Sequence, residues 1–120
     1  MTIKRFKILD TAYFNQDVII TGTTYNLLFK FNPSDESWYL SIRDSLKNSI
    51  VSGIKIMPNQ NLTKRFEYLN VFKSGNIWCV RKKNDFTPIN RNNLGIGKSY
   101  EVAWISDDSL SEEYIDAVQL

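Results

Sequence analysis

The sequence predicts an all-β fold, either a small barrel or a strongly rolled antiparallel sheet, with a short C-terminal helix or arm. Apolar and polar residues alternate along residues 17–57, the turn sequence NPSD divides this stretch at residues 32–35, and Gly53 interrupts its last strand. Alternation of this kind is typical of strands that bury one face. The chain has 120 residues, of which 42% are hydrophobic, so we expect a single domain with one core.

The first half of the chain contains four predicted strands. The clearest, at residues 24–31, follows a strand at residues 16–20 and a tight reversal in which Gly22 can adopt a positive φ. The next strand repeats the alternation. A fourth strand, at residues 50–57, contains Gly53, which predicts a β-bulge that bends the sheet toward closure. Six alternating residues of the second and third strands are expected to be buried: Tyr25, Leu27, Phe29, Trp38, Leu40 and Ile42.

The second half is predicted to be less regular. Residues 61–70 carry apolar side chains at helical spacing, which indicates a short helix or a turn. Strands follow at residues 75–81 and 100–105, separated by a polar, turn-rich segment. We therefore divide the chain into an N-terminal arm or edge strand (1–15), a barrel-like domain (16–106) and a C-terminal arm or short helix (107–120).

The C-terminal segment has the pattern of an amphipathic helix. Ser109 and Glu112 fit a capping box, and three apolar residues that follow share one helical face. A helix this short is not stable alone in water, so it either packs back on its own domain or docks on a neighbour. Because the two ends of the chain also differ in charge, we expect both to contact neighbouring subunits of a symmetric assembly. The candidate interface residues are Lys4, Arg5, Phe6, Leu110, Tyr114 and Val118.

The residue types of common enzyme sites are largely missing. The chain has no histidine and one cysteine, Cys79, which excludes a Ser-His-Asp triad and disfavours a zinc site. Cys79 lies in an apolar run and is expected to be a buried structural thiol. The carboxylate pairs at residues 35–36 and 112–113 suit a turn and the first turn of a helix. We predict no enzyme activity, no catalytic, cofactor-binding or metal-binding residue, no cofactor and no small-molecule substrate.

One short motif is similar to the end of a phosphate-binding P-loop. Residues 95–99 read GIGKS, but the full motif needs a glycine where Asn92 stands and a helix after Ser99. A strand is predicted there instead. Gly95 and Gly97 are therefore interpreted as turn residues.

The charge pattern gives weak support for a nucleic-acid partner. The formal net charge is +2, low for a dedicated nucleic-acid binder. The run WCVRKK at residues 78–83 leaves an alternative open, a small cytoplasmic barrel that binds single-stranded nucleic acid. Its aromatic residue falls on an alternating position that we interpret as inward, where core packing explains it. The chain shows neither an apolar leader nor a membrane-spanning run, so we expect it in a reducing cytoplasm, away from membranes.

The order of landmarks resembles the baseplate plug proteins of contractile-tailed bacteriophages, of the cyanophage type. The matching segments are TGTTYNLLFKFN, WYLSI, SIVSGIKIMPNQNL, SGNIWCV and LGIGKSYEVAWI, within residues 16–106. The resemblance implies a β-rich structural virion protein without catalytic residues, placed near the tail hub. Its implied partners are the tail hub, the tail tube, other baseplate proteins and copies of itself, with assembly in the host cytoplasm. This chain has asparagine-rich turns where the family favours glycine, and it adds the segment after residue 106.

Overall fold

The computed structural model describes residues 3–58, 60–81 and 87–106. This part of the chain is almost entirely β-structure, and the only helices in it are two 3₁₀ turns between the sixth and seventh strands, Lys64–Phe66 and Asn70–Phe72. The strands in chain order are β1 (Ile3–Arg5), β2 (Tyr13–Ile20), β3 (Thr23–Asn32), β4 (Ser37–Asp44), β5 (Ser49–Lys55), β6 (Gln60–Asn61), β7 (Gly75–Arg81) and β8 (Tyr100–Ser106).

The strands form two four-stranded antiparallel sheets. Strands β2-β3-β4-β5 pair in sequence order and are called the meander sheet; strands β1-β8-β7-β6 contain both ends of the domain and are called the terminal sheet. No ladder joins the two sheets within the described residues, so the predicted closed barrel is wrong, although the all-β class is confirmed. The chain crosses from one sheet to the other twice, between β1 and β2 and between β5 and β6. All four of these strands are edge strands of their sheets, so neither crossing continues a hydrogen-bonded ladder. The predicted C-terminal helix lies outside the described residues.

The inner faces of the two sheets share one hydrophobic core. All six residues predicted to be buried are buried, which confirms the alternation of β3 and β4. An aromatic cluster lies at one end: Phe14 stacks on Phe29 at 5.1 Å between ring centroids, and Trp38 meets Phe14 edge-on. The Trp38 Nε1–H donates to the carbonyl oxygen of Asn90 at 3.1 Å. The Cys79 thiol is also buried, as predicted.

Glycine fixes two of the local geometries. Thr21 and Gly22, with φ of 50° and 81°, form the two-residue turn between β2 and β3, the geometry that suits the twist of a hairpin. At Gly53 (φ 70°) the register between β4 and β5 shifts, and the Gly53 N–H donates to the Ser41 hydroxyl at 3.0 Å. The predicted bulge is confirmed, but the sheet stays open at β5.

Two predictions for the second half need correction or completion. The helically spaced residues 61–70 form 3₁₀ turns, and Leu62 reaches the core. Trp78 does not point into the core: Ile77 and Cys79 do, and Trp78 is half-buried on the opposite face of β7. The inward interpretation of Trp78 was therefore wrong. Because β7 is apolar on both faces, its sequence does not reveal which residues face inward.

Candidate functional site

A groove opens where the edge strands of the two sheets come closest. Strands β5 and β6 each have one neighbour in the described sheets, and such edges can accept a further strand from a partner. The space between them measures about 300 Å³; we call it the edge groove. Three of its lining side chains are apolar and three are basic: Ile54, Met57, Leu62, Lys55, Lys64 and Arg65.

All charged side chains that line the edge groove are basic. Lys55, Lys64 and Arg65 are all exposed, and no acidic residue lines the groove within the described chain. The Arg65 guanidinium carbon lies 4.9 Å above the Phe66 ring centroid, a cation–π contact that restricts where this charge can move. A basic rim over an apolar floor is suited to an acidic segment that carries apolar side chains.

A second hollow adjoins the edge groove on the other side of Lys55 and Met57. It also measures about 300 Å³ and includes Asp35, Glu36 and Ile89. The Tyr39 hydroxyl donates to the Asp35 carboxylate, and this hydrogen bond raises the pKa of Tyr39 above its ordinary value. The second hollow thus adds two carboxylates to the Lys55 ammonium group that both hollows share.

The outer face of the meander sheet carries a polar network that sequence reasoning missed. Asn26 is 1% exposed although it lies on that face. Its Nδ2 donates to Asp17 Oδ1 at 2.9 Å and to Asn15 Oδ1 at 3.1 Å, while Arg43 Nε donates to Asn26 Oδ1 at 2.9 Å. The alternation placed Asn26 outward, but the network depends on the register that sets Asp17, Asn26 and Arg43 side by side. That register is not visible in any one strand.

The three N-terminal residues of the predicted interface lie in strand β1 and at the position directly after it. The Lys4 ammonium donates to the carbonyl oxygen of Ile19, which links the two sheets. Arg5 Nε lies 3.5 Å from Glu101 Oε1, with the arginine partly exposed and the carboxylate buried. Phe6 is buried in the core, and its N–H donates to the Val102 carbonyl at 2.8 Å. Lys4 and Arg5 thus keep side-chain surface, and Phe6 anchors the strand.

The remaining candidate interface residues, Leu110, Tyr114 and Val118, lie outside the described residues. The GIGKS segment forms a turn in which the Lys98 N–H donates to the Gly95 carbonyl at 3.0 Å. Strand β8 begins at the next residue after it, so no helix N-terminus faces the two glycines.

Two further chemical features are absent from the described ranges 3–58, 60–81 and 87–106. These residues contain no group of three or more histidine, cysteine, aspartate or glutamate side chains that could hold a metal ion. None of the helices in the same ranges has the length and apolar character needed to span a bilayer.

Comparison with known proteins identifies a family. The sequence profile of one family, described as the cyanophage baseplate Pam3 plug gp18, matches residues 4–107. That range includes all of β2 to β8 and most of β1. No curated protein matches the chain.

Proposed function

The chain belongs to this family of cyanophage baseplate plugs, and from that membership we propose that it bridges the hub or tube of a contractile phage tail and the surrounding baseplate proteins. The coarser role, a structural component of the phage virion at the tail baseplate, follows from the family itself. The match over residues 4–107 is the observation that carries the proposal. We propose that the chain has no enzyme activity.

A bridging protein needs at least two separate contact surfaces, and the described chain offers two of different chemistry. The edge groove is basic with an apolar floor. The outer face of the meander sheet is polar, with exposed Tyr13 and Ile19 beside the Asn26 network. We propose that the edge groove contacts an acidic segment of a baseplate protein, by strand addition at β5 or β6, and that the polar face contacts a second neighbour.

Self-association is a separate part of the proposal. Closed symmetric rings are the usual way in which one small chain surrounds an axis, and a tail has such an axis. We propose that several copies surround it after assembly in the host cytoplasm, with Lys4 and Arg5 near the contact between copies. We propose that Leu110, Tyr114 and Val118 also contact neighbouring subunits.

The proposal is tested by complementing a phage that lacks the gene and analysing purified tails by mass spectrometry. The wild-type chain should be present in the tails, and particles made without it should lack complete baseplates. The double variant Lys64→Glu, Arg65→Glu should fold but be incorporated poorly, because it reverses the charge of the edge groove.

The matched control is Lys73→Glu, Lys98→Glu, which reverses two exposed charges that lie neither in the groove nor on the outer face of the meander sheet and should be incorporated normally. Absence of the wild-type chain from purified tails, or complete tails made without it, would contradict the structural role. Equal incorporation of both double variants would contradict only the assignment of the edge groove.

A further inference from the structure

The edge groove and the second hollow form one continuous surface, because Lys55 and Met57 line both of them. On either side of these shared residues the charged side chains have opposite signs. The groove contributes two basic side chains and the second hollow two carboxylates, and all four residues are exposed: Lys64, Arg65, Asp35 and Glu36. We call this surface the bipolar surface, with a basic half and an acidic half.

We propose that a second copy of the chain docks on the bipolar surface of the free protein, about a two-fold axis that passes near Met57. A two-fold contact brings the same patch of both copies together, so the patch must be complementary to itself. Half a turn about this axis sets the basic half of each copy on the acidic half of the other. A wholly basic groove would repel its own copy, whereas the bipolar surface attracts it.

The place of Lys55 is compatible with this arrangement. Lys55 lines the same hollow as Asp35 and Glu36, so its charge is offset by carboxylates of its own copy. The ammonium groups of the two Lys55 residues therefore repel each other only weakly beside the axis. Lys64 and Arg65 remain available for the carboxylates of the other copy.

Apolar side chains at the centre of the bipolar surface support the contact. Met57 is 37% exposed, and the hollow next to it has walls of proline and isoleucine: Pro58, Pro88 and Ile89. A thioether side chain adapts its shape to an irregular surface. An apolar centre within a charged rim is the usual arrangement of a protein interface, and the two-fold axis would place the Met57 side chains of both copies at that centre.

The size of the surface predicts a weak dimer. The two hollows together have fewer lining residues than the roughly 20–30 residues that each side of a standard interface contributes. We therefore expect a dissociation constant above about 1 μM. The dimer should weaken further as salt is added, since its charged residues are exposed and their attraction is screened.

This contact differs from the one proposed between copies around the tail axis. It involves strands β5 and β6, whereas Lys4 and Arg5 belong to β1, at the other edge of the terminal sheet. The dimer concerns the free chain and stands without the proposed function. Its consequence rests on that function: a copy that occupies the edge groove would exclude the acidic segment of another baseplate protein, so incorporation requires the dimer to dissociate.

The test is a pair of charge reversals on the purified full chain, measured by sedimentation equilibrium at low salt. The basic half is reversed in Lys64→Glu, Arg65→Glu and the acidic half in Asp35→Lys, Glu36→Lys. Each variant alone should raise the dissociation constant of the dimer at least about tenfold, because like charges then face each other. An equimolar mixture of the two variants should restore the dimer, because opposite charges face each other again in both halves of the contact.

Two further samples make the result specific. The control Lys73→Glu, Lys98→Glu, with two reversed charges outside the bipolar surface, should dimerise as the wild type does. Asp35→Lys also removes the acceptor of the Tyr39 hydroxyl and of the Ser37 N–H. The single variants Lys64→Glu and Glu36→Lys avoid this loss and should show the same restoration when they are mixed.

Three results would overturn the proposal: a wild-type chain that stays monomeric up to about 1 mM, mixtures that stay monomeric in both pairs of variants, or complexes larger than a dimer. The last result would mean that copies join head to tail without a two-fold axis. A monomeric wild-type chain that is still incorporated into tails would overturn the dimer and leave the proposed function intact. A dimeric chain that is absent from tails would have the reverse meaning.

Discussion

The outer faces of the two sheets differ more than any other two regions of the molecule. Both sheets have four antiparallel strands and share one core. On the meander sheet Tyr13 and Ile19 are 59% and 58% exposed, whereas Val80, Ala103 and Ile105 on the terminal sheet are buried. Strand pairing therefore does not decide which face meets water. The outward side chains of the meander sheet meet water, whereas those of the terminal sheet are withdrawn from it.

The outer faces of the two sheets also differ in their buried polar groups. On the meander sheet Asn26 is buried on the outward side but fully engaged by Asp17, Asn15 and Arg43, as buried amides must be. On the terminal sheet the buried outward residues are the aliphatic Val80, Ala103 and Ile105 together with Asn76 and Glu101. The meander sheet therefore has a hydrogen-bonded amide beneath a wet surface, whereas the terminal sheet also withdraws aliphatic side chains from water.

The largest effect is expected in the core that both sheets share. Phe29→Ala removes a fully buried ring that stacks on Phe14 and should lower the free energy of unfolding by about 3–5 kcal/mol. Lys30→Ala, at the next residue but exposed, should change it by less than about 0.5 kcal/mol. Denaturant titration of both variants measures these changes in the free energy of unfolding. A small loss for Phe29→Ala would contradict the inward assignment of β3.

The next effect compares the two outer faces directly. Ile105→Ala should cost about 2–4 kcal/mol, since it empties a covered position. The same change at the exposed Ile19 should cost less than about 0.5 kcal/mol. Denaturant midpoints at constant slope would report both values. If the two variants lost equal stability, the outer faces would not differ as described.

Loss of the polar network around Asn26 should have an intermediate effect on the free energy of unfolding. Asn26→Ala leaves Arg43 and Asp17 without their shared partner and should cost about 1–3 kcal/mol. Asn15→Ala, which removes a single bond from an exposed residue, is the matched control and should cost little. Thermal unfolding at equal protein concentration compares them, and a neutral Asn26→Ala variant would mean that the network contributes nothing to stability.

The smallest effect is a pH dependence in the turn between β4 and β5. Hydrogen bonds from the backbone of Asn48, and then from its side chain and the Leu46 N–H, lower the pKa of Asp44 below its ordinary value of 3.8, despite a smaller opposing effect of desolvation. The stabilisation is therefore present at neutral pH and is lost as the pH falls through the lowered pKa. The stability difference between the wild type and Asp44→Asn should shrink below about pH 3.8. A stability difference that stays constant across this pH range would contradict the lowered pKa of Asp44.

The sequence predicted the meander sheet well because its strands alternate. Leu27, Phe29 and Leu40 follow a period of two, and each of them is buried as expected. The bulge at Gly53 was also visible, since glycine within a strand has few other uses. The open edge at β5 was not visible in the sequence. Closure of the two sheets into a barrel depends on whether β5 and β6 pair, and that pairing is a property of the whole fold.

The terminal sheet was harder to predict because β7 and β8 are apolar on both faces. In NIWCV and EVAWI no alternation distinguishes inward from outward positions, so Trp78 was assigned to the wrong side. Near-continuous apolar runs are typical of strands with two covered faces. That signal could have indicated that both faces of β8 are buried. The edge groove could not have been found, since its lining residues come from two sheets that meet only in the fold.

The most direct test of the contrast between the outer faces is the solvent accessibility of their methyl groups in the full-length protein. A soluble paramagnetic agent should attenuate the NMR signals of Ile19 strongly and leave those of Val80, Ala103 and Ile105 nearly unchanged. Equal attenuation of Ile19 and Ile105 would contradict the contrast between the two outer faces.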